Sequence, residues 1–169
     1  AIPAPPTGPP PFYECTGLTG KLTIPHLVKT IGSSAFWKCS GLTEVVISDS
    51  VNSIGAGAFG YCSELLTLTL PSSVTFIGDC AFEYCGKLKE VYCYVPDPSQ
   101  ITIGVSSDNN YYGMFLQSHT YDNTLYVPQG AGEAYRADGK WNNPFDNIVE
   151  MGDGSDMPGD VDGNGELTI

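Results

Sequence analysis

Apolar positions in the first half of this chain come in pairs two residues apart, separated by polar stretches of fixed length. Val45/Ile47, Leu68/Leu70 and Val91/Cys93 are such pairs, 23 residues from one to the next. Two apolar positions spaced by two predict a short strand with one buried face. Each strand is followed by an Ile-Gly pair and then an Ala-Phe pair. Ile31-Gly32-Ser33-Ser34-Ala35-Phe36 returns as Ile54-Gly55-Ala56-Gly57-Ala58-Phe59 and again as Ile77-Gly78-Asp79-Cys80-Ala81-Phe82. A Cys stands three residues after each Phe (Cys39, Cys62, Cys85) and a Leu three further on (Leu42, Leu65, Leu88). Ala-Phe-x-x-Cys is too short for a free-standing helix, so it predicts one helical turn on the side opposite the strand. The Gly of each Ile-Gly pair turns the chain where a β-carbon would interfere.

A fixed period in this range predicts a solenoid, in which each unit buries its apolar face only against its neighbours. Stacked copies would place Phe36, Phe59 and Phe82 in one buried ladder and Leu42, Leu65 and Leu88 in another. A partial unit precedes them. Phe12, Cys15 and Leu18 repeat the same three-residue steps, but Phe12 lies 24 residues before Phe36, with the extra residue within Thr19-Gly20-Lys21. The period fails after Tyr94, at Val95-Pro96-Asp97-Pro98. The domain reading is therefore a Pro-rich linker or chain start over 1–11, repeats over 12–94, a degenerate repeat and C-terminal cap over 95–150, a linker over 151–159, and the start of a calcium loop over 160–169.

These residues resemble the BspA-like leucine-rich repeat family of bacterial surfaces. Its unit reads Leu-x-x-Val-x-Ile-Pro-x-x-Val-x-x-Ile-Gly-x-x-Ala-Phe-x-x-Cys-x-x-Leu, and residues 65–88 follow it closely. The likeness covers about 12–94. Leu125-Tyr126-Val127-Pro128, Ala134-Tyr135, Trp141, Phe145 and Ile148-Val149-Glu150 look like the family's terminal segment, whereas 95–123 departs from the pattern. The resemblance implies a leucine-rich-repeat-like stack of short parallel strands and short helical turns with a C-terminal cap. It also implies an extracellular or cell-surface setting and attachment to extracellular matrix proteins as a role.

Charge narrows the partners. Seven basic against nineteen acidic residues give a net charge of −12, and seven of the acids follow Lys140, the last basic residue. Such a chain repels phosphate backbones, so no nucleic-acid partner is expected. No apolar run approaches the ~18 residues of a membrane span, so no membrane insertion is expected. The six cysteines recur mostly at one repeat position. Units stacked about 4.8 Å apart bring such thiols near disulfide range, but parallel side chains seldom adopt the required torsion. The expectation is a free, buried thiol ladder from Cys15 to Cys85, with Cys80 and Cys93 packing locally.

Candidate chemistry is sparse. His26 and His119 are far apart, and no nucleophile, phosphate-loop or zinc-protease motif occurs. The expectation is no enzymatic activity. Asp160-Val161-Asp162-Gly163-Asn164-Gly165 opens a calcium loop of the D-x-D-x-N-G form, with Asp160, Asp162, Asn164 and the Thr168 position as the metal ligands of an incomplete loop. Position 12, the decisive carboxylate, falls beyond Ile169. No cofactor is therefore expected in this chain, and calcium only in a longer one.

What remains is surface. Outward strand positions form columns: Thr23, Val46, Thr69, Tyr92, and beside it Lys21, Glu44, Thr67, Glu90, with Tyr94 extending the last strand. The candidate binding residues are Tyr92, Tyr94, Val46, Thr69, Glu44 and Glu90, with Tyr111 and Tyr112 nearby. Tyrosine offers large amphipathic area at low entropic cost. The same tyrosines could instead cover the core where the cap meets the last repeat. Four to six strands give a face of only a few hundred Å², against about 800 Å² per partner in a standard interface. The expected function is a monomeric, secreted or surface protein-binding module of adhesin type, its ligand a protein or a glycan. A scaffolding module acting with a dockerin-like calcium domain, and an accessory domain of a carbohydrate-active protein, are the alternatives.

Overall fold

The computed structural model describes residues 10–104, 113–115, 118, 122–142 and 144–152. The calcium-loop residues, His119, Tyr111 and Tyr112 lie outside them. Among the described residues the chain winds as a solenoid with two parallel sheets. The larger has six strands: β1 (Thr19–Ile24), β3 (Gly41–Ile47), β5 (Thr67–Leu70), β7 (Glu90–Cys93), β9 (Thr124–Val127) and β10 (Asn147–Glu150), in that spatial order. The smaller has four two-residue strands: β2 (Thr30–Ile31), β4 (Ser53–Ile54), β6 (Phe76–Ile77) and β8 (Thr102–Ile103). The solenoid stack is as the repeat period predicts.

The register bears out the apolar pairs. Leu22, Val45, Leu68, Val91 and Leu125 are in-register partners along the larger sheet, and all but Leu22 are fully buried. The irregular first interval shows as a register shift between Gly20 and Lys21, where Gly20 takes φ +78° at no β-carbon cost.

The helical turn is corrected. Residues 32–39 and their counterparts are tight turns that stack on one another, because alternate N–H groups bond to the next coil rather than back along the chain. Ser34, Phe36 and Lys38 donate to the carbonyls of Ala56, Ala58 and Gly60 at 2.8–2.9 Å. A helix would turn those donors along its own axis. The alternation requires left-handed residues four apart: Ser34 and Lys38, Gly57 and Tyr61, Cys80 and Tyr84. Each non-glycine among them carries backbone strain that the inter-coil bonds hold in place. At the preceding corner the coils nearly touch. A β-carbon on Gly55 would lie 2.4 Å from the Ser33 nitrogen, and one on Gly78 2.3 Å from the Ala56 nitrogen.

The core between the sheets and the turns is a set of stacked rows. Phe12, Phe36, Phe59, Phe82 and Phe115 stack with centroids 5.1–5.5 Å apart. Beside them runs the thiol ladder. Cys39 donates to the Phe12 carbonyl at 3.1 Å, Cys62 to Phe36 at 3.4 Å and Cys85 to Phe59 at 3.3 Å. All six cysteines are free. The next rung is a hydroxyl, Ser118 donating to the Phe82 carbonyl, so Phe115-x-x-Ser118 continues the repeat inside the stretch where the period fails. The cap ends the ring stack edge-on, with Phe145 and Trp141 against Phe115 at 5.2 and 6.4 Å, and Tyr135 against Trp141. Helices α1 (Gly132–Ala137) and α2 (Gly139–Asn142) carry Tyr135 and Trp141, both fully buried.

Candidate functional site

The outward face of the six-stranded sheet brings the predicted columns together and lengthens them. Thr23, Val46, Thr69, Tyr92, Tyr126 and Val149 are consecutive in-register partners, as are Lys21, Glu44, Thr67, Glu90, Thr124 and Asn147. The sheet therefore runs on past residue 94 without a gap, and Tyr126 and Val149 join the face.

Within the columns the residues are unequal. Val46 and Thr69 occupy the outward register, but they are only 7% and 2% exposed. They are short side chains set among longer neighbours, so they form the floor of the strip. Glu44 pairs with Lys21 at 2.9 Å across one coil step. Glu90 accepts the Tyr92 hydroxyl at 3.3 Å. Burial, and after it the Glu90 charge, pushes the Tyr92 phenol above its ordinary range. The Tyr92 ring stacks on Tyr126 with centroids 4.5 Å apart and planes within 6°. Both rings are half-buried, and Val149 beyond them is 43% exposed. Tyr94 is half-buried just past β7, its N–H bound to the Leu70 carbonyl at 3.0 Å.

The face thus has an ion pair at one end, a low floor in the middle and a stacked tyrosine pair with an apolar neighbour at the other. Tyr126 was missed in the sequence, although Thr124-Leu125-Tyr126-Val127 has the same alternation as Glu90-Val91-Tyr92-Cys93 and would have aligned it. His26 is exposed at the turn after β1. Among the described residues no group of three or more His, Cys, Asp or Glu is placed to hold a metal ion, and no helix is long and apolar enough to cross a membrane.

Stacked parallel strands, ring and thiol ladders, and a broad sheet face define a β-solenoid of the leucine-rich-repeat class. The chain belongs to the BspA type leucine rich repeat region family, whose profile matches residues 8–125 in six copies. It is similar to the crystal structure of a leucine-rich repeat protein from Bacteroides ovatus ATCC 8483, at 27% identity and TM-score 0.56, over 83% of this chain and 32% of that one. It is also similar to a leucine rich cell surface protein from Faecalibacterium prausnitzii A2-165, at 27% identity and TM-score 0.50, over 78% of this chain and 32% of that one. The chain spans about a third of the length of those two structures. Among curated proteins, no sequence matches it.

Proposed function

We propose that this chain is a non-catalytic, protein-binding module displayed outside the cell, of adhesin type, which engages its partner through the outward face of the six-stranded sheet. The observation that carries this reading is the Tyr92–Tyr126 stack beside exposed Val149. Paired aromatic rings are the kind of anchor on which binding energy concentrates. The family supports the setting, since one of its solved relatives is a cell surface protein. The acidic surface favours a partner with exposed Lys or Arg, whose approach would be steered at low salt.

The test is binding to purified extracellular matrix proteins with the wild type and with Tyr92→Ala and Tyr126→Ala. Each substitution is expected to weaken binding at least about tenfold, the effect of losing a central aromatic anchor. Circular dichroism should show the fold intact. Unchanged affinity in both variants would move the contact off this face.

A further inference from the structure

The turn side of the solenoid carries an aromatic feature of a different kind. Trp37 is half-buried there, whereas Trp141 is sealed inside the cap. The Trp37 ring lies across the backbone of the next coil. A β-carbon at Gly60 would come within 2.4 Å of its Cζ3, and one at Gly57 within 3.0 Å. The corresponding positions in the flanking coils are Trp37 and Glu83, and Ser34 and Cys80. Only the middle coil lacks a side chain at both, and the indole fills that place. With the Cε3–Cζ3 edge of the indole against the glycines and Tyr61 packed beside it, Trp37 keeps part of its ring exposed.

Polar groups ring this platform. Tyr61 stands 4.9 Å from Trp37, tilted by 50°, and stacks in turn on Tyr84, which is 36% exposed. Glu83 packs 3.3 Å from the position a Gly60 β-carbon would take. Lys38 pairs with Glu14 at 2.9 Å, and both Lys38 and Glu83 lie within electrostatic reach of Tyr61.

We infer that this ridge is a glycan-binding site, with a neutral pyranose seated on the exposed part of the Trp37 ring and its hydroxyls turned toward Tyr61, Glu83 and the Lys38–Glu14 pair. A pyranose presents a flat face of C–H groups with hydroxyls around its edge. A flat indole with a polar rim supplies a counterpart to both. An apolar peptide would desolvate the rim charges and offer them no further hydrogen bonds. An anionic sugar would meet Glu83 and a chain of net charge −12. The site lies on a different surface from the Tyr92–Tyr126 face and stands or falls apart from it.

Tryptophan fluorescence tests this directly, because Trp141 is buried in the cap and Trp37 is open to ligand. Titration with neutral oligosaccharides of glucose, xylose and mannose should give a saturable change for at least one, and an oligouronate should give none. Gly60→Ala keeps the indole but pushes it off its shelf, and calorimetry should show binding weakened roughly tenfold, the scale of one lost aromatic contact. Trp37→Ala should abolish binding, and Leu27→Ser, at a residue 90% exposed elsewhere, should leave it unchanged. No saturable response to any neutral oligosaccharide overturns the proposal. So does full affinity in folded Trp37→Ala, or a preference for the oligouronate.

Discussion

The cysteines show how far one side chain's chemistry is set by its rung. Burial pushes the Cys62 thiol up to about 12 and Cys93 up to about 11, and holds Cys85 well above its ordinary value. Cys93 also contacts the Tyr135 hydroxyl at 3.2 Å, which itself donates to the Val95 carbonyl. Thiolate is the reactive form, so these rungs should be inert in the folded protein. Alkylation near pH 8 followed by mass spectrometry should modify Cys15, half-buried at the first rung, and only slowly Cys80, whose thiol burial also pushes up to about 12. All six should react once the chain is unfolded, and rapid labelling of Cys62 in the native protein would contradict the ladder. The ladder was legible in the sequence because Phe-x-x-Cys keeps side chains at constant spacing. The left-handed Lys38, Tyr61 and Tyr84 were not, since nothing in their side chains announces a positive φ.

At the scale of the element, the corners between sheet and turn are where coils come closest. Gly55→Ala and Gly78→Ala each drive a β-carbon into backbone of the preceding coil, which cannot swing away as a side chain could. The expected cost is about 2–3 kcal/mol of stability by chemical denaturation, at the upper end for overpacking. Gly32→Ala meets nothing within 4 Å and should change stability by no more than about 0.5 kcal/mol. A similar loss at all three would refute the close approach. The long strands could be read from apolar alternation, but the smaller sheet could not. Two residues such as Thr30–Ile31 show no alternation, and they are strands only because Ser53–Ile54 and its successors stack beside them. The helical-turn expectation failed for the same reason: the inter-coil bonds that replace it have no local signature. On the sheet face, the aligned columns were legible, but the burial of Val46 and Thr69 depends on neighbours from other coils.

Across the whole molecule the C-terminal end of the stack is sealed by chemistry the repeats lack. Glu150 accepts the backbone N–H groups of Gly130 and Gly132, both at 2.9 Å, and Arg136 donates to the Ile148 carbonyl at 2.9 Å. Those two N–H bonds are the main cause that holds the Glu150 carboxyl below its usual range, with Arg136 adding to it. A carboxyl depressed in the folded state stabilises fully above its unfolded value, and that contribution is lost as pH falls through the folded value. Acid should therefore loosen the cap before the repeats. Hydrogen exchange at moderately acidic pH should rise first at Gly130, Gly132 and β10, with β3 and β5 still protected. Glu150→Gln should show the same loosening already at neutral pH. Uniform exchange along the stack would separate Glu150 from the cap's stability.

The matched rungs of successive coils reach beyond stability. Each coil presents the same backbone donors, the same ring and the same thiol or hydroxyl to the coils on either side. Residues 48–70 could thus be deleted or duplicated as a block, and the flanking coils would meet with their rungs matched, the cap unaltered and the face shortened or lengthened by one strand. A gene encoding such a chain can change its protein's reach by slipping one unit at a time. A change of another length keeps the ladders in step only where the backbone absorbs the difference, as the extra residue of the first interval is absorbed at the Gly20/Lys21 register shift.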